Sequence, residues 1–293
     1  MDLQLDFYSD WIALLQTELV GMGYTIPAGT APRDVALLYF NALFRRIPKK
    51  PRQILKSREL QCPPQLQNGL NWLEQKVANG DDLNPHLSRK TKKLDYDDAL
   101  LNDWGIFHFH LGTAFRTDGL VDSTDPVLFA RVTDSDFYEI HTASHGTWAD
   151  LDLIEILHTN WPQAIEHRKL PQALALQYVP DTAAIEKLRK DQLNTAIQTN
   201  DGTIYGQFGG GYASDGTSTV VVMNANTHTS EVKELEKWVR ENIALLVEKL
   251  KTAGYTEHAP LKAKFVVDSD GWYASFPDYN YSFKLKAKTG RVR

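Results

Sequence analysis

"NDWGIFHFHLG", residues 102–112, decides how the middle of this chain is read. Large apolar residues alternate with the histidines at 108 and 110, a period of two that suits a strand. Side chains on a strand point to alternate faces. Ile106, His108 and His110 then share one face, and Phe107, Phe109 and Leu111 share the other. The phenylalanine face is expected to pack into a core, leaving the histidine face turned toward a cleft. "PVLFARV" (126–132) and "DFYEIHTA" (136–143) have the aromatic and β-branched content of two more strands. The short polar link "TDSD" (133–136) makes them a hairpin. In the last strand Phe137, Glu139, His141 and Ala143 are expected on one face. If the strands form one sheet, His108, His110 and His141 converge, with Arg116, Tyr138, His145 and Trp148 near the rim.

Working outward, residues 4–20 place Trp11, Leu14, Leu15 and Leu19 on one helical face, and a glycine- and proline-rich stretch follows. A second helix is expected from Thr30 or Pro32 to before Pro48. The basic, proline-punctuated stretch 45–60 comes next, and a third helix spans 63–80, closed by Gly80. "DDLNPHLSRKTKKLDYDD" (81–98) is poor in apolar residues and reads as a linker. Beyond the strands, Thr147 with Asp150 reads as the cap of a helix running to about Thr159, which places His145 near a positive helix end. Residues 170–200 read as helical. Residues 202–225 read as two strands around a glycine-rich turn, and 228–254 as the clearest helix, with Val232, Leu235, Val239, Ile243, Leu246 and Leu250 in step. Residues 264–288 read as three short antiparallel strands. The expected class is α+β: a helical, basic N-terminal segment (1–93), then a mixed domain (94–293) with mainly antiparallel sheet and its functional centre at 103–148.

The 293 residues are 42% hydrophobic and 24% charged, which is ordinary for a globular protein. No apolar run is long enough to span a membrane, and the acidic start "MDLQLDFYSDW" lacks the pattern of a signal peptide. One cysteine, Cys62, allows no internal disulfide and no zinc site built on several thiolates. Cys62 itself reads as a loop or core residue. A cytoplasmic, prokaryotic protein is the expectation. The net charge of −5 is unevenly spread. Residues 41–93 hold twelve Lys/Arg against four Asp/Glu, and residues 94–167 hold two against fourteen. That asymmetry suits either a basic surface for RNA or another polyanion, or two regions that neutralise each other by packing.

Six of the nine histidines lie between 108 and 167. Histidine titrates near neutrality, so one ring can accept a proton while another donates one. With Arg116 to hold phosphate, this is equipment for cutting RNA through its 2′-hydroxyl. The leading expectation is therefore a metal-independent, RNase-like nuclease of toxin or defence type. His108 and His141 are its acid and base, His110 and His145 orient, and Arg116 clamps phosphate. Arg45, Arg46, Lys49, Lys50 and Arg52, with Arg89, Lys90, Lys92 and Lys93, are assigned to the polyanion backbone, and Tyr138 and Trp148 to substrate. The first alternative is a hydrolase or nuclease with a bound Zn or Mn ion on His108, His110, His141 and a carboxylate, Glu139 or Asp103. The second is a non-enzymatic protein whose N-terminal helices bind a protein partner, the histidines being structural. His86, His167, His228 and His258 read as surface or turn residues, His158 as a helix residue, and Trp104 and Trp161 as core. "GQFGGGYASDG" (206–216) lacks both the P-loop lysine and the context of a dinucleotide fingerprint, and reads as a loop.

Overall fold

A computed structural model describes residues 2–173, 175–256 and 260–287; the expectation for His258 falls outside them. In chain order the helices are α1 (Phe7–Gly21), α2 (Pro32–Phe44), α3 (Gln67–Asn79), α4 (Ala99–Trp104), α5 (Asp152–Asn160), α6 (Pro162–Ile165), α7 (Thr182–Lys190), α8 (Thr219–Glu241) and α9 (Ile243–Lys251). The strands are β1 (Leu3–Gln4), β2 (Gln53–Lys56), β3 (Ile106–Phe109), β4 (Val127–Val132), β5 (Asp136–Ala143), β6 (Ile197–Gln198), β7 (Ile204–Tyr205), β8 (Leu261–Lys262), β9 (Lys264–Val267), β10 (Gly271–Phe276) and β11 (Tyr281–Ala287). The class is α+β. No helix among the described residues is long and apolar enough to cross a membrane.

The chain forms two compact units, residues 1–40 with 221–293, and residues 41–220, a partition different from the division at residue 93 read from the sequence. In the first unit α1 buries Phe7, Trp11, Ile12, Leu15 and Leu19 at helical spacing. Phe7 lies 5.6 Å from Phe265 of β9, and the Asp10 carboxylate accepts the Phe265 N–H at 2.8 Å. That apolar face is used inside its own unit. β9, β10 and β11 form the expected antiparallel meander. Helix α8 contradicts the sequence reading: "TVVVMNA" (219–225), read as strand, is its first two turns. Val221, Ala225, Val232 and Val239 are buried along it, so packing of one helical face overrides the β preference of the valine run.

The second unit is built on a four-stranded sheet in the order β2-β5-β4-β3. β3, β4 and β5 are the antiparallel strands expected from sequence, with the Thr133 N–H closing the hairpin on the Asp136 carbonyl at 2.9 Å. β2, hidden in the basic stretch, adds in parallel, Ile54 opposite Phe137. Both faces are covered. Ile106, Val127, Phe129, Tyr138 and Ile140 pack with α5 and its neighbours on one side. Phe107, Phe109, Leu128, Ala130 and Phe137 pack on α3 on the other. The histidine face of β3 is therefore buried, not open to a cleft. A Cβ on Gly69 would stand 1.7 Å from the Leu111 carbonyl oxygen, so only glycine lets α3 lie this close to the chain leaving β3.

Three further expectations are corrected. Helix α5 begins at Asp152, not at a Thr147 cap, because residues 147–150 form a turn. Only Thr182–Lys190 of the 170–200 stretch is helical, capped by the Asp181 side chain on the Ala184 N–H. Residues 81–98 are packed single turns, with Leu83, His86, Leu87 and Leu94 buried, and not a linker.

Hydrogen bonding to backbone carbonyls inside the unit explains part of the basic stretch. Arg45 is 1% exposed. Its guanidinium donates to the carbonyls of Asn41, Thr91, Lys93 and Leu94 at 3.1–3.4 Å, tying the end of α2 to the turn at 91–94. Arg52 likewise donates to Thr133, Pro48 and Lys50. Neither guanidinium is presented to a polyanion, and the assignment of Arg45 and Arg52 to one is withdrawn. Arg46 is half-buried, and Lys49 and Lys50 remain on the surface, Lys49 beside Asp82 at 3.9 Å. Arg45→Met removes four hydrogen bonds to backbone carbonyls and is expected to cost on the order of 2–4 kcal/mol in urea unfolding, whereas Lys49→Ala is expected to change stability by less than about 0.5 kcal/mol.

Candidate functional site

Three imidazoles meet at the end of β3. His108 lies in the strand, and His110 follows where the strand ends. His145 arrives from the turn after β5. The ring centroids of His110 and His145 are 5.1 Å apart and nearly parallel, with His108 at 6.3 and 6.2 Å from them. Trp148 closes the group, 4.6 Å from His108 and 5.4 Å from His145. His108 and His110 are 8% and 6% exposed, while the His145 side chain is 40% exposed. The cluster is thus a buried pair with one imidazole at the solvent.

Its electrostatics follow from that burial. Loss of water pushes the His108 pKa down to about 4, helped by the neighbouring His145 and Lys90. His110 is also pushed to about 4, first by burial, then by His108 and His145, with a smaller push from the Arg116 charge. Both rings are neutral at pH 7. The backbone N–H of Thr124 can only donate, and it meets His110 Nδ1 at 3.0 Å. The same nitrogen also lies 3.3 Å from the Thr124 carbonyl oxygen. His145 is anchored by its own N–H on the Asp125 carboxylate at 2.9 Å, with ring Nδ1 3.8 Å from the same oxygen.

Two cations act on the buried pair, Lys90 on His108 and Arg116 on His110. Arg116 sits on a tight hairpin whose Phe115–Val121 bridge and Arg116 N–H to Leu120 carbonyl bond (2.7 Å) fix its place. Asp118 pairs with it at 3.2 Å and Ser123 accepts from it at 3.5 Å. Lys92 donates to the Asp118 carbonyl, which docks the exposed 89–93 turn, with Lys90, onto this hairpin. Gly112 permits the hairpin to close: a Cβ there would lie 2.4 Å from the Asp122 carbonyl oxygen.

Not every expected residue joins the cluster. A bulge places Phe129 opposite His141 and Ala130 opposite Glu139, breaking the alternation the sequence suggested. Phe129 also faces His108 on the other side, so a phenylalanine stands between the two histidines in the sheet. His141 Nδ1 donates to the Glu59 carbonyl at 3.1 Å instead. Glu139 is fully buried, and its carboxyl oxygens have no hydrogen-bond partner. Burial lifts its pKa to about 8, Glu74 adding to the rise and Lys56 opposing it. Asp103 is bound to Arg189 at 2.7 Å. The expected metal ligands do not converge, and no group of three or more His, Cys, Asp or Glu among the described residues is placed to hold a metal ion. Tyr138 is core, packed 5.2 Å from Trp161. Burial raises the Cys62 thiol pKa, the opposite of activation.

Two participants escaped sequence reading. His86, read as a surface residue, is completely buried, and its Nδ1 donates to the His110 carbonyl at 2.9 Å. Its flanking leucines, Leu83 and Leu87, are both buried, and that i, i+4 pattern was the available signal. Arg189 lies one turn from buried Ile185 on the apolar face of α7, an unusual place for a charge. It donates to Asp103 and to the Trp148 carbonyl, and its guanidinium carbon is 3.8 Å from the Trp104 ring centroid. His158, read as a plain helix residue, is bonded to Tyr205 at 2.9 Å and to Asp201 at 3.0 Å. The glycine-rich loop is held in place, because the Gly209 and Gly211 N–H groups bond the Asp103 and Asn102 carbonyls.

The buried groups set opposing pH limits. His86, His108 and His110 all titrate near 4 in the fold, against 6.5 unfolded. Their stabilisation is present above pH 6.5 and is lost as pH falls toward 4. Glu139 works the other way, its contribution complete below pH 4.5 and lost as pH rises through 8. Thermal unfolding across pH is expected to show Glu139→Gln more stable than the wild type at pH 8.5, by on the order of 2–4 kcal/mol, with the two converging near pH 4.5. Compared with known proteins, the chain matches no family model, no curated sequence and no solved structure.

Proposed function

We propose that this chain is a phosphodiester-cleaving enzyme that acts on RNA by imidazole acid–base chemistry, without a metal ion. The observation that carries the reading is the group of His108, His110 and His145, with His145 stacked on His110 and open to solvent, and with the Lys90 charge acting on His108 and the Arg116 charge on His110. His145 is the proton carrier, because it alone of the three reaches solvent. It takes the proton of the ribose 2′-hydroxyl while the 2′-oxygen attacks phosphorus. The bond to the 5′-oxygen breaks, and the imidazolium returns its proton to that oxygen. The products are a 2′,3′-cyclic phosphate and a 5′-hydroxyl, with no net proton change. His110 stands against His145 as a neutral imidazole. Arg116 and Lys90 supply the positive charge that a phosphorane needs. Proton transfer thus belongs to His145 and not to the pair His108 and His141.

The test is cleavage of a labelled oligonucleotide with a single ribonucleotide, in the presence of a chelator. The wild type is expected to yield a cyclic phosphate end at that ribonucleotide and to leave the all-deoxy version intact. His145→Ala is expected to lose roughly 10²–10⁴-fold in rate, and His141→Ala to keep the wild-type rate within about threefold, since it lies outside the cluster. Wild-type protein that leaves the ribonucleotide uncut, or equal rates for His145→Ala and wild type, ends this reading.

A further inference from the structure

Phe115 is a large apolar side chain that is 57% exposed, at the base of the hairpin carrying Arg116. It is held firmly for an exposed residue. Its ring meets Trp72 of α3 edge-on at 5.4 Å, and the Lys76 ammonium lies 5.0 Å from its centroid and 4.2 Å from that of Trp72. Trp72 in turn packs 5.1 Å from the His86 ring, whose Nδ1–H holds the His110 carbonyl. The hairpin is pinned from both sides: the Val121 N–H bonds the Pro85 carbonyl at 2.9 Å, and Lys92 bonds the Asp118 carbonyl. An exposed, immobilised aromatic ring beside a cation-lined site is the arrangement that takes a nucleobase by stacking, while cations follow the backbone.

We infer that Phe115, braced by Trp72 and Lys76, is a stacking platform for one base of a single-stranded polynucleotide whose neighbouring phosphates lie along Arg116 and Lys92. The inference rests on the RNA reading above and adds a binding subsite to it. Stacking is indifferent to base identity, so this subsite favours unpaired strands over duplex and discriminates weakly among bases.

The experiment measures binding and not cleavage, so that the two readings fail separately. The full-length protein is titrated into a fluorescent, uncleavable all-deoxy octanucleotide and into the same strand with abasic sites, at fixed low salt. Phe115→Ala is expected to weaken binding of the base-bearing strand by roughly 5- to 150-fold and to leave the abasic strand unchanged, with Phe115→Trp restoring wild-type affinity. Unchanged affinity in Phe115→Ala overturns the platform, as does equal loss on both strands or wild-type protein that binds neither. Firm, base-dependent binding by a protein that cuts no RNA would sink the nuclease reading and keep the platform.

Discussion

The ion pair between Asp103 and Arg189 is the constraint on which the histidine cluster depends. Its oxygen and nitrogen are 2.7 Å apart, and both side chains are 6% exposed. Asp103 comes from the end of α4, just before β3, and Arg189 from α7. The same guanidinium bonds the Trp148 carbonyl and stacks over the Trp104 ring. Three segments distant in sequence are thereby fixed at one point, and the third is the turn that carries His145 and Trp148. A buried charge stripped of its partner costs about 3–5 kcal/mol, so the arrangement locks the turn only while both partners are present. Burial raises the pKa of Asp103 and the Arg189 charge opposes that rise, so the pair persists because the arginine compensates a carboxylate the core would otherwise neutralise.

The cluster itself is a consequence of sheet geometry meeting desolvation. Both faces of the β2-β5-β4-β3 sheet are covered, so a histidine on either face must surrender its charge or find a partner. His108 and His110 surrender it. His110 Nδ1 meets the backbone of Thr124, and His86 donates its Nδ1–H to the His110 carbonyl, which sets the proton position on His86. Glu139, on the opposite face, keeps its proton well into the neutral range for the same reason. One buried sheet therefore holds neutral imidazoles and a neutral carboxyl, and leaves charge to the rim, where Arg116, Lys90 and Lys92 stand. The chemistry proposed needs that division, because a cationic interior would repel the rim cations.

Local pattern determined a good deal. The alternation in "GIFHFHLG" placed β3 and set Phe107 and Phe109 on one face, because a strand's period of two is a property of the backbone alone. The "TDSD" hairpin, the helix closed by Gly80 and the C-terminal meander were legible for similar reasons, as was the α+β class, whereas the sequence grouped His141 with His108 and His110 where the structure puts His145 and Trp148. What the chain's letters could not reveal is which groups meet at long range. A single bulge at Phe129 and Ala130 separated His141 and Glu139 from the cluster, and no local pattern marks a bulge that pairing creates. Arg45 and Arg52 read as a polyanion surface until folding supplied the carbonyls that consume them. His86 and Arg189 entered the site only through contacts 24 to 86 residues away. Sequence thus decided the periodicities, since these act between near neighbours. Tertiary structure decided burial, and with it charge state and partner, since both depend on what the rest of the chain brings against each side chain.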